Sequence, residues 1–259
     1  MSVLAGVVTP SNMPEIDGRD LAWLSADEMR EVDRITVTQM GVLLMQMMEN
    51  AGRNLAQLAV DLFAPASATV LAGGGGNGGG GMVAARHLAA RGVNVQVVSA
   101  VDDAKLAVVP RHQLAILRAM GVPLIDQPVP ADLVIDAVIG YALTADPRGR
   151  QAELIEWTAA QRAPILALDL PSGLDATTGR LGTPHVRATA TMTLAMPKLG
   201  LRSGALVVGD LYLADISVPR QVFAELGHEV APIFALGSLL RVRQSRDIAG
   251  DPSSRRVKP

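Results

Sequence analysis

From residue 68 onward, short apolar runs rich in β-branched residues alternate with stretches of helical periodicity. A parallel sheet covered by helices satisfies this order, because each parallel crossover needs an element long enough to return the chain. Strands are expected at 68–72, 93–99, 133–137, 165–169, 190–195 and 206–213, and helices at 79–90, 111–120 and 151–161. The runs "ATVLA", "LVIDAV" and "PILALDL" are continuously apolar, as strands buried on both faces require. Upstream, Ser25 and Glu28 have the spacing of a capping box and predict a helix running toward Gly41. A Met-rich helical pattern then covers 42–63 and stops at Pro65.

A chain of 259 residues with 49% hydrophobic content can bury one sizeable core, and one domain is expected over residues 21–240. Residues 1–20 and the basic tail 241–259 lack periodicity and are expected to be flexible. A net charge of −2 and 3% aromatic residues argue against a nucleic-acid surface and favour a small-molecule ligand. The lack of cysteine excludes disulfides, thiolate metal sites and a Cys nucleophile, and His87, His112, His185 and His228 are too scattered for zinc. With neither a basic leader nor an apolar run of bilayer length, the expectation is a cytoplasmic protein without a membrane partner. Met40, Met45, Met47 and Met48 are expected to fill a core or a subunit contact.

In open parallel sheets ligands gather beyond the carboxyl ends of the strands, which directs attention to four rims. The first is "LAGGGGNGGGGM", residues 71–82, eight glycines broken by Asn77. Glycines there let backbone N–H groups approach a phosphate, whereas Asn77 offers a carbonyl oxygen suited to a hard cation. At the second, Asp136 ends an apolar strand, as a helix cap or as a ligand, since a buried carboxylate needs compensation. Asp146, before Pro147, is either a turn initiator or a site residue. The third rim is Asp169 to Asp175, where a carboxylate leaves a strand into a Pro-Ser-Gly turn, and Asp175 itself reads as a turn residue. The fourth holds Lys198, either a solvated lysine or a functional one.

Six stretches in order, "LSADEMREVDRITVTQMG", "MMENAGRNLAQLA", "LAGGGGNGGGGMVAARHL", "VIDAVIGYAL", "LALDLPSGLDATTG" and "ATMTLAMPKLGL", resemble the NAD(P)H-hydrate epimerase family, the YjeF N-terminal domain family, over about residues 24–220. The resemblance implies an α/β fold, a Rossmann-like three-layer α/β/α sandwich with a mostly parallel central sheet, often dimeric. It further implies interconversion of the R and S forms of NADH and NADPH hydrated at C6 of the nicotinamide ring (NADHX and NADPHX), for cofactor repair. It implies potassium (K+) held by Asn77, Asp136 and Ser172, and substrate contacts from Gly76, Asn77, Gly78, Gly79 and Gly80, from Gly140, Tyr141, Ala142, Leu143, Thr144, Ala145 and Asp146, and from Asp169.

Lys198 joins the substrate-binding set, and Asp146 and Asp169 are the candidate acid and base. The expected partners are a separate dehydratase acting on the S form and a second copy of the chain. The family's loop pattern, Gly-Pro-Gly-Asn-Asn-Gly-Gly-Asp-Gly, has Pro, Asn and Asp where this chain has Gly74, Gly76 and Gly80. Two alternatives therefore stand beside the epimerase: a nucleotide-binding protein, taking ADP-ribose-like ligands, with impaired catalysis, and an isomerase of another nucleotide.

Overall fold

The computed structural model describes residues 13–244. Strand β1 (Glu15–Asp17) precedes helices α1 (Ala26–Thr38) and α2 (Leu44–Phe63); β2 (Ser67–Ala72), α3 (Gly76–Ala90), β3 (Asn94–Ser99), α4 (Val108–Ala119), β4 (Leu133–Ala137), α5 (Gly149–Thr158) and β5 (Ile165–Leu168) follow. The chain continues through β6 (Ala190–Leu194), the short helices α6 (Gly200–Ser203) and α7 (Ala205–Val208), β7 (Asp210–Ala214), α8 (Arg220–Glu225) and β8 (Leu239–Arg243). The eight strands among the described residues form one sheet in the order β1-β8-β7-β6-β5-β4-β2-β3. Every pairing is parallel except β7 with β8.

Alternation along the strands divides the core. Val70, Ala72, Ile135 and Leu168 share one cluster with α2, α3 and α4, whereas Leu71 and Val134 pack with Leu154 and Ile155 of α5. Leu211, Leu213 and Leu240 pack with Val32 and Ile35 of α1 and Phe223 of α8. This is the three-layer α/β/α arrangement expected from the sequence. The Ser25–Glu28 capping box is formed in both directions at the start of α1. Among the described residues, no helix is long and apolar enough to cross a membrane.

Three expectations are corrected. The segment expected to be flexible up to residue 20 contributes β1, and β8 runs past residue 240; the two strands pair, so the domain extends beyond 21–240 at both ends. Of the two terminal segments expected to be flexible, residues 1–12 and 245–259 lie outside the described residues. The apolar run 206–213 is not one strand: Gly209, with φ +65°, breaks it into α7 and β7, and its neighbour Thr189 O leaves no room for a Cβ. Finally, α3 begins at Gly76 rather than residue 79, so the glycine run is mostly helix.

Glycine is a poor helix former, and what holds α3 is close approach. A Cβ on Gly78 would lie 1.8 Å from the Gly73 carbonyl oxygen, and one on Gly81 would lie 2.5 Å from Ala137 Cβ. The substitution Gly78→Ala is expected to lower stability by about 1–3 kcal/mol through overpacking, despite alanine's better helix propensity, as read by the midpoint of urea unfolding.

Candidate functional site

The strand order reverses at β2, with β3 on one side of it and β4 on the other, and the crevice of such a reversal is where α/β sheets bind ligands. A cavity of about 540 Å³ opens there, within the range of small-molecule sites. Gly74, Gly75 and Gly76 line it at the start of α3, where the first-turn N–H groups lack intrahelical partners. Gly140 through Asp146 form a second wall, Asp169 and Lys198 lie at the ends of β5 and β6, and Met48 comes from α2. Of the glycines expected to contact substrate, Gly80 also lines the cavity; Gly78 and Gly79 are buried against Gly73 and Met48 and serve packing.

Asp136 is fully buried, and burial pushes its carboxyl up to about 6 against the opposing pull of its hydrogen bonds. Its Oδ2 accepts from the Ser172 N–H at 2.7 Å, and its Oδ1 accepts from the Ser172 hydroxyl at 2.6 Å. Ser172 Oγ accepts in turn from the Ile139 N–H at 2.8 Å, which ties the β4 rim to the β5 rim. Asn77 packs against Gly140 on that rim, and its buried Nδ2 has no hydrogen-bond partner among the described residues. The three residues expected to hold a cation are thus gathered at one place.

The pair at the next rim is Asp169 and Lys198. Lys198, open at sequence level between a solvated and a functional lysine, is fully buried. Its ammonium donates to Asp169 Oδ1, to the Leu194 carbonyl at 2.8 Å and to Thr193 Oγ1 at 3.4 Å. Asp169 sits at φ +68°, a left-handed conformation unusual for a residue other than glycine, which turns the chain sharply out of β5. Among the described residues, every hydrogen bond to its carboxylate ends on Oδ1.

Asp146 is placed differently from its expected role as acid or base. It lies on the exposed rim of the cavity, 2.8 Å from Arg180, and that guanidinium holds its carboxyl below the usual carboxylate range. Such a group binds or orients and is a poor proton donor. Asp175 is a turn residue, with Oδ1 accepting from the N–H groups of Thr177 and Thr178. Met47 and Met48 are buried beside the cavity, whereas Met40 and Met45 remain partly exposed. Among the wall residues that no sequence pattern marked is a carboxylate, Asp33 on α1. Its signal was position, one turn after the buried Met29 and three residues before the buried Thr36, hence on the covered side of the helix.

A family model described as YjeF-related protein N-terminus matches residues 44–200. The chain belongs to that family. Its YjeF-type relatives include the NAD(P)H-hydrate epimerase of Dehalogenimonas lykanthroporepellens, 41% identical over 238 residues that cover 88% of this chain and 96% of that protein. The NAD(P)H-hydrate epimerase of Truepera radiovictrix is 36% identical, over 81% of this chain and 97% of that one. The bifunctional NAD(P)H-hydrate repair enzyme of Salinibacter ruber is also 36% identical, but the match covers 76% of this chain and only 41% of that longer protein. The crystal structure of yeast ynu0 shares the fold, with a TM-score of 0.73 at 23% identity, over 85% of this chain and 100% of that one.

Removing one partner of the Asp169–Lys198 pair leaves a buried charge uncompensated. Lys198→Met is expected to cost about 3–5 kcal/mol in urea unfolding, and the double variant with Asp169→Asn to recover part of that loss.

Proposed function

We propose that this chain is an NAD(P)H-hydrate epimerase, interconverting the R and S forms of NADHX and NADPHX as a step in nicotinamide cofactor repair. The observation that carries it is the end-to-end match to relatives of that name, 96% and 97% of their lengths, by a chain whose cavity at the strand-order reversal is fully formed. Gly74, Gly75 and the first turn of α3 receive the pyrophosphate, because unpaired N–H groups and the positive helix end favour an anion. The hydrated nicotinamide lies deeper, toward Asp169 and Lys198.

Epimerisation at C6 breaks the bond to the hydroxyl and re-forms it on the other face, so one group must protonate the departing oxygen and another must take a proton from the returning water. Asp169 suits the role of proton acceptor, because Lys198 holds its carboxylate through Oδ1 and the residue lines the cavity.

The oxygen donors of Asn77, Asp136 and Ser172 fit a potassium ion. A fully buried carboxylate that has no cationic side-chain partner among the described residues is a site that a hard monovalent cation compensates. When bound, the ion supplies charge compensation and holds the rims together. A homodimer and a cytoplasmic location, with a dehydratase as the next enzyme, belong to the same proposal. For the dimer, Val37, Met40, Leu43, Leu44 and Met45 offer exposed apolar surface around the α1–α2 turn.

The alternative of nucleotide binding without turnover draws on Gly80, where the expected carboxylate is absent and a Cβ would lie 2.8 Å from Leu168 Cδ2. One assay separates the two. With R-form NADHX and excess dehydratase, the protein is expected to accelerate loss of the R form over the spontaneous rate. Binding of ADP-ribose with no acceleration supports the nucleotide-binding protein instead. For the ion, potassium is expected to raise the melting temperature relative to choline at equal ionic strength, and Asp136→Asn to abolish that rise.

A further inference from the structure

Asp33 belongs to α1, outside the residues matched by the family model, yet its side chain lines the cavity together with Asp169 and Lys198. The Tyr141 hydroxyl, from the wall that follows β4, donates a hydrogen bond to Asp33 Oδ2. The ammonium of Lys198, whose charge acts on Asp33, is ion-paired to Asp169. Among the described residues Asp33 has no salt bridge. Burial raises its carboxyl above the ordinary aspartate range and the charge of Asp169 adds to the rise, while the Tyr141 hydrogen bond and Lys198 oppose it. Apart from Asp146 on the exposed rim, the cavity thus holds two carboxyl groups in unlike surroundings, one beside an ammonium and one beside a phenol, an arrangement that divides base from acid.

Resting on the epimerase activity proposed above, we propose that Asp33, oriented by Tyr141, is a further catalytic residue of this site: it protonates the C6 hydroxyl of the hydrated nicotinamide as that group departs. The Asp33 proton passes to the hydroxyl oxygen, and the C6–O bond breaks with its electron pair leaving on water. The ring-nitrogen lone pair closes an N1–C6 iminium. Water then adds to the opposite face of C6, the electron pair returns to nitrogen, and the proton released goes to the Asp169 carboxylate. One water leaves and one enters, no electron is gained or lost, and the two carboxyl groups re-equilibrate with solvent through the cavity mouth.

An acid of this kind works while protonated, so the rate is lost as pH rises through its pKa. The groups that set that pKa are Tyr141, Lys198 and Asp169, with Arg30 acting on Tyr141 from one turn earlier on α1. Removing the Tyr141 hydroxyl deletes a contact that lowers the Asp33 pKa, and this moves the alkaline limb to higher pH.

The test uses the full chain in the dehydratase-coupled assay. Wild type must first accelerate loss of the R form; without that, the epimerase assignment fails and this proposal with it. Given an active wild type, Asp33→Asn is expected to lower kcat by about 10²–10⁴-fold with KM changed by less than about threefold. Its melting temperature and its affinity for ADP-ribose, used as the binding probe, should stay close to wild type. Tyr141→Phe is expected to shift the alkaline limb upward. Wild-type kcat in Asp33→Asn, or a lower rate in Tyr141→Phe with the limb unmoved, overturns the proposal.

Discussion

The site depends on how closely α3 can approach the sheet. Two positions of that helix, Gly78 and Gly81, face Gly73 and Ala137 at separations that admit no side chain. The resulting contact places the first turn of α3 beside the end of β4, so that Asn77 meets Gly140 and the helix's free N–H groups open into the cavity. Glycine weakens a helix locally, yet here it permits the packing that defines the cavity wall. The same residues that look like a loop in one dimension are a contact surface in three.

Much of this was legible in the sequence, and the reasons are physical. Strands β2, β4 and β5 are buried on both faces, so their apolar runs stand out, and the rule that parallel sheets bind ligands at carboxyl ends led to Asp136, Asp169 and Ser172. The capping box of α1 is a local interaction between neighbours and was correspondingly readable. The failures involve partners distant in sequence. Strand β1 is three residues long and exists because β8, more than 200 residues away, offers it an edge. Lys198 is buried only because Asp169 and the Leu194 carbonyl receive its ammonium, and no local pattern announces that. Asp33 required knowing which face of α1 the sheet would cover.

Three carboxyl groups illustrate how surroundings assign roles to one side-chain type. Asp136 is enclosed with backbone and hydroxyl donors, Asp169 is paired with an ammonium, and Asp146 stands in solvent beside a guanidinium. Burial raises the first and a neighbouring cation lowers the third, so chemistry that all three share at the level of sequence is separated by position alone.

The pairing of β1 with β8 has a consequence for architecture. It brings both ends of the described chain to one margin of the sheet, while the cavity lies across the other half, at the ends of β2, β4, β5 and β6. The first and last described strands thus sit together away from the cavity, in a family that includes a bifunctional relative of which this match covers only 41%.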